Sequence, residues 1–231
     1  MTESAQLTHA VNRSQSSCRM LLFIVAFLCC LNLVCCDGFP IPPHGEYGHF
    51  SGNPAASVRL TQYLDYLCPF CKRAHPIVNQ VVEHYGDKIY YQQMPFPLLM
   101  HHNGFFAAFV GEIVANASGS AAYFKYVDHT YEVQEEFYDE NTWNISQLEV
   151  ASKLCDIAKL YGVKHADCMN LMTTDAGNAL QSLTQHTGIY GAQQQVWSTP
   201  SFFINGVFNP DISSSWTFEQ WTTYLDQLLK A

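Results

Sequence analysis

The chain predicts an α/β domain with a helical lobe inserted into it, and three stretches carry that prediction. Strand, helix and strand follow one another over residues 57–94, helical periodicity dominates 103–190, and a hairpin with a closing helix occupies 199–230. Residues 57–64 alternate as a buried strand does. Next, Phe70, Ala74, Ile77, Val78, Val81, Val82 and Tyr85 recur at helical spacing, and Gly86 ends the run. Residues 88–94 form a second strand, stopped by Pro95 and Pro97. A strand–helix–strand order implies a right-handed parallel crossover. Within the inserted lobe, Ser146 and Glu149 have the spacing of a capping box and open a helix to about Tyr161. The five acids between Glu132 and Glu140 read as a solvated face. Toward the end, Asn205-Gly206 between two apolar runs signals a hairpin. Thr217 and Gln220 form a second capping box, starting a helix with Phe218, Trp221, Leu225 and Leu228 on one side.

Composition narrows the function. Of 231 residues, 48% are hydrophobic and 13% charged, a folding rather than a disordered balance. The net charge of −9 argues against nucleic-acid binding through a basic surface. Arg13 and Arg19 precede fifteen uncharged residues, 20–34, which have the length of a signal-peptide core. Val34 and Cys36 suit the positions before a cut at Asp37. The alternative is an uncleaved anchor, since with Cys35 and Cys36 the apolar run reaches seventeen residues, the bottom of the membrane-spanning range. Contact with a membrane is expected only in that second case. Both readings place the rest of the chain in the secretory lumen or outside the cell. The expected organisation is a leader over 1–36, an extended arm over 37–56, an α/β part over 57–98, the helical insertion over 99–195 and a second α/β part over 196–231. Two sequons, at Asn116 and Asn144, fit a lumenal glycoprotein.

Of nine cysteines, five precede Asp37, leaving Cys68, Cys71, Cys155 and Cys168. An even number in an oxidising compartment favours disulfides. Cys68-Pro69-Phe70-Cys71 sits where the first strand gives way to the helix. A helix N-terminus presents unpaired N–H groups and the positive end of the dipole, so it favours an anion. Such a site draws a thiol down from about 8.5 toward roughly 3.5–7. Pro69 suits a helix start. Lys72 and Arg73 could add a positive field. Cys68 is therefore expected to be exposed and acidic, with Cys71 shielded one turn into the helix. A purely structural disulfide is one rival; a zinc site with Cys68, Cys71 and His75 lacks a fourth ligand nearby in sequence. His75, His101, His102 and His129 read as polar surface or adventitious ligands, with no partner evident. Cys155 and Cys168, thirteen positions apart, read as a structural disulfide tying two helices.

The run from Tyr63 through Asp65, Tyr66, Cys68-Pro69-Phe70-Cys71-Lys72-Arg73 to Pro76 resembles the DsbA-like branch of the thioredoxin superfamily. Pro76 matches that family's helix-kinking proline, and Thr199-Pro200 its cis-proline segment. The resemblance covers 57–230 and implies a thioredoxin-like fold with an inserted helical domain. It implies a thiol–disulfide oxidoreductase in which Cys68 forms the mixed disulfide and Cys71 resolves it, with Pro69, Phe70, Thr199, Pro200, Gln62 and Asp65 in support. Thr199, before a cis Pro200, is expected to pair with an extended substrate, and Phe70 and Trp197 to wall its groove. Protein or peptide thiols and disulfides are the implied substrates, served by a redox partner the sequence does not name. No metal or organic cofactor is required. Gln62 departs from the pattern: six residues before Cys68 the family usually has a Glu that moves protons for the second cysteine. An amide cannot titrate, so water or Asp65 is expected to replace it. Pro-Phe between the cysteines lacks the histidine of the most oxidising members, which predicts a milder oxidant. A glutathione-dependent glutaredoxin-like reductase and a non-enzymatic peptide-binding or chaperone protein are the alternatives.

Overall fold

The computed structural model describes residues 47–230. The leader expected over 1–36, residues 37–46 of the arm and Ala231 lie outside the described residues.

Five strands form one sheet: β1 (His49–Gly52), β2 (Val58–Leu64), β3 (Ile89–Pro95), β4 (Ser201–Ile204) and β5 (Val207–Phe208). Their order is β1-β3-β2-β4-β5, with β2 and β3 parallel and the remaining pairs antiparallel. Part of the expected arm is thus an edge strand, because His49 to Gly52 pair with Gln93 to Tyr90. Asn205 and Gly206 both take positive φ (51° and 81°), the pair of left-handed residues a two-residue hairpin turn needs.

Helix α1 (Pro69–Tyr85) makes the parallel crossover. Pro76 lies inside it and lacks the N–H that Lys72 carbonyl would accept, yet the helix runs on to Gly86. The insertion supplies α2 (Gly104–Ser118), α3 (Ser120–Glu132), α4 (Asp139–Thr142), α5 (Gln147–Lys159), α6 (His165–Thr173) and α7 (Asn178–Gln193); α8 (Phe218–Leu228) closes the chain. Thr217 and Gln220 cap α8 reciprocally. At α5 only half of the expected box forms: Ser146 accepts from Glu149 N–H, and no return bond from the Glu149 side chain accompanies it. Glu149 is exposed, where water competes for its carboxylate.

Of three apolar clusters, two follow from the strand period of two. On one face, Leu60, Ile89 and Phe202 meet Val78 and Val81 of α1 and Trp221 and Leu225 of α8. On the other, Tyr63, Met94 and Phe203 lie under Leu183 and Tyr190 of α7. The insertion's last helix therefore covers the sheet as well as the lobe. A Cβ on Gly191 would sit 2.7 Å from the Phe96 ring, which is why α7 can approach so closely. The third cluster is the lobe's own core, and it includes Leu67, Cys68 and Cys71. The site thus sits where the sheet, α1 and the lobe converge.

Candidate functional site

Cys68 caps α1 with extended backbone, and Pro69 begins the helix without wasting a hydrogen bond. The Thr199–Pro200 bond is cis, and the Thr199 carbonyl faces the active-site loop. Cys68 Sγ lies 3.3 Å from that oxygen. Both cysteines are free thiols. Cys68 is only 2% exposed, against the expectation of an open thiol, because the loop before Pro200 and the lobe close over it.

The expected asymmetry lies in acidity instead. A hydrogen bond from the Cys71 thiol holds Cys68 down at about 6 despite burial, helped by Thr199 and by the backbone N–H groups of Cys71 and Phe70. Burial pushes Cys71 well above the usual thiol range, and the neighbouring Cys68 adds to this. Lys72 and Arg73 are occupied elsewhere. Lys72 pairs with Glu135 at 3.3 Å, while Arg73 bonds Ser214 and lies over the Phe70 ring.

Beneath the helix, Gln62 is buried on β2 and accepts a 2.5 Å hydrogen bond from Tyr91 OH, which in turn accepts from Gln93 Nε2 at 3.1 Å. Asp65 does not stand free as a substitute for the missing acid. Its Oδ1 accepts from Leu67 N–H, and its Oδ2 from Leu98 N–H, both at 2.8 Å, and Oδ2 also holds His101 Nδ1 at 2.6 Å. Asp65 is thus a positioning group that ties the cysteine loop to the segment after β3. That bond raises His101 above the usual imidazole range.

The surface reading is corrected for the buried His75; His101 and His129 are half-buried, His102 is exposed as expected, and all four have partners. His75 is buried and pairs with Asp128 at 2.6 Å, His101 with Asp65, His102 with Asp139 at 2.6 Å, and His129 with Tyr161 OH at 3.1 Å. Gln134 was hidden within the acidic run between Glu132 and Glu140. Its buried Nε2 donates to the carbonyls of Tyr66 (2.8 Å) and Cys68 (3.1 Å), clamping the loop from the lobe side. These partners lie 32 to 68 positions apart, and local sequence carries no signal for them.

Phe70 and Trp197 are 54% and 82% exposed, so both lie on the surface rather than in the core. A cleft beside the cysteines is lined by Leu67, Pro69, Met100, His101, Tyr138 and Asp139. Cys155 and Cys168 are joined by a disulfide that links α5 to α6. Asn116 and Asn144 are exposed. Among the described residues, no group of three His, Cys, Asp or Glu side chains is arranged to hold a metal ion. No helix among them is long and apolar enough to cross a membrane.

The family model described as thioredoxin matches residues 45–227. The chain belongs to the thioredoxin family. Solved structures share its DsbA-like fold. Wolbachia pipientis alpha-DsbA1 is 22% identical, with 84% of this chain and 94% of that one covered at a TM-score of 0.61. Oxidised BdbD from Bacillus subtilis is 16% identical, with 80% and 98% covered at 0.62. The thiol-disulfide exchange protein alpha-DsbA2 from Wolbachia pipientis is 20% identical, with 80% and 86% covered at 0.58. Among curated proteins, the Na(+)/H(+) antiporter NhaA 1 of Mycobacterium sp. (strain KMS) is 30% identical over 174 residues, 72% of this chain and 24% of that protein. The protein of the same name from Mycolicibacterium gilvum (strain PYR-GCK) is 28% identical over 173 residues. The chain spans about a quarter of the length of these curated relatives.

Proposed function

We propose that this thioredoxin-family chain is a thiol–disulfide oxidoreductase of the secretory lumen or cell exterior, acting on protein or peptide thiols and disulfides. The observation that carries the reading is the Cys68-Pro69-Phe70-Cys71 pair at the N-terminus of α1, with Cys68 Sγ 3.3 Å from the Thr199 carbonyl that precedes the cis Pro200. One sulfur is held at about 6 at a helix N-terminus, while its partner is raised by burial. A thiolate attacks a disulfide sulfur, and a thiol of low pKa is also a good leaving group. Cys68 therefore forms and releases mixed disulfides, and Cys71 resolves them.

The Thr199 carbonyl beside Cys68 offers a backbone acceptor to an extended substrate, as in strand addition. Exposed Phe70 and Trp197 supply apolar surface on which its side chains rest. A leader over 1–36, the domain limits given above and glycans on the exposed Asn116 and Asn144 complete the proposal.

Insulin reduction by wild type and by Cys68→Ser tests it. Wild type is expected to turn over and the variant to be inactive, while Cys71→Ser accumulates mixed disulfides. Equal turnover by wild type and Cys68→Ser would exclude this chemistry.

A further inference from the structure

We propose that His75, held by Asp128, is the base that takes the proton from Cys71 when Cys71 resolves a mixed disulfide at Cys68. This rests on the exchange reaction proposed above. Cys71 must become a thiolate to attack, yet its burial opposes ionisation. The position beneath the helix holds an amide, Gln62, and Asp65 is committed to Leu67, Leu98 and His101. Another acceptor is needed.

His75 follows Cys71 by four residues in α1, so the two share a helical face. Helical side chains lean toward the N-terminus, which lays the His75 ring over the turn that carries Cys71. Its Nε2 lies 2.6 Å from Asp128 Oδ1 and 3.1 Å from Asn79 Nδ2, which donates to the same carboxylate oxygen at 2.9 Å. A carboxylate only accepts, so Nε2 carries the hydrogen and the lone pair of the neutral ring is on Nδ1. Nδ1 is buried and has no hydrogen-bond partner. It is bonded to the ring carbon that joins Cβ, and so lies at the α1 end of the ring.

The other groups around the ring do not compete for that proton. Tyr131 of α3 packs at 4.7 Å between centroids and gives its hydroxyl to the Asp65 carbonyl. Lys72 is engaged by Glu135. Glu132 lines the outer wall of a cleft of about 370 Å³ that the ring and Asp128 share. The Asp128 side chain is half-exposed there, giving the proton a way to water. Burial works against the Asp128 charge, yet the His75 hydrogen bond holds it below the usual carboxylate range.

In the step itself, the Cys71 proton passes to Nδ1 and the imidazolium is stabilised by Asp128. The Cys71 sulfur pair attacks Cys68 Sγ. The Cys68–Cys71 bond forms, the bond from Cys68 to substrate breaks, and its electron pair leaves on the substrate sulfur. The two cysteines are oxidised by two electrons and the substrate disulfide is reduced by two. The imidazolium then releases its proton through the cleft.

The test is single-turnover release of a cysteine peptide from a preformed Cys68 mixed disulfide, followed from acid to mildly alkaline pH. Wild type is expected to show release that weakens on acidification. His75→Gln should slow release at neutral pH by roughly tenfold to a hundredfold, as loss of a general base does, and abolish that acid limb. Asp128→Asn should displace the limb, and Gln62→Glu added to His75→Gln should restore part of the rate. A folded His75→Gln that keeps the wild-type pH profile overturns the proposal. Should His75→Gln fail to fold, an unmoved profile in Asp128→Asn overturns it equally. If wild type forms no mixed disulfide at all, the exchange reading fails and this inference with it; a mixed disulfide with an unmoved profile removes only the role of His75.

Discussion

Stability of the reduced protein should rise with pH through the neutral range, and Cys68→Ala should remove that rise. Cys68 is lowered from 9.0 to about 6 in the fold, so the folded state ionises this thiol before the unfolded chain does. For a depressed pKa the stabilising contribution is complete above the unfolded value and is lost as pH falls through the folded one. The window therefore runs from 9.0 down to about 6. Each unit within it corresponds to about 1.4 kcal/mol, so the contribution near pH 7.5 is roughly 2 kcal/mol, or about 1 after solvent screening. Cys71 moves the opposite way, and its raised pKa acts only in alkali, above the range used here. The assay is urea denaturation of fully reduced wild type and Cys68→Ala at several pH values between 5.5 and 8. The difference between them should grow with pH, and iodoacetamide should titrate Cys68 with a midpoint near 6 while sparing Cys71. Parallel pH dependences, or equal alkylation of both thiols at pH 6, would refute the hydrogen-bonded thiolate.

Two further outcomes follow from the surroundings of the pair. Gln62→Glu keeps the volume and the Tyr91 hydrogen bond but buries a carboxyl, whose pKa desolvation raises. It should speed peptide release near neutral pH and lose roughly 3 kcal/mol of stability as pH rises from about 4.3 through the raised folded value; stopped-flow release and denaturation that both match wild type would contradict this. Replacing Cys155 and Cys168 by Ser should lower stability by roughly 3 kcal/mol, the loop-closure entropy of a bridge this size. Peptide mapping should find them linked while mild dithiothreitol reduces Cys68–Cys71, and two free thiols in protein from a secretory host would exclude the bridge.

Local sequence determined the order of elements because local physics encodes it. Alternation set β2, helical spacing set α1, Asn205-Gly206 set the hairpin, and Thr217 with Gln220 set the start of α8. It also placed the Cys68-Pro69-Phe70-Cys71 pair at a helix N-terminus and raised the question that Gln62 poses. Contacts between distant segments were decided only by tertiary packing. His49 to Gly52 became an edge strand because β3 offered an open side, and α7 covers the sheet as well as the lobe. Cys68 is enclosed because the Thr199 segment and the lobe close over it. Four histidines without an evident sequence partner acquired carboxylates or a tyrosine. Gln134 reached 66 positions back to hold the carbonyl of Cys68. Period and spacing act within a few residues, whereas burial and hydrogen-bond pairing are properties of the closed chain, and proton chemistry at Cys71 depends on the latter.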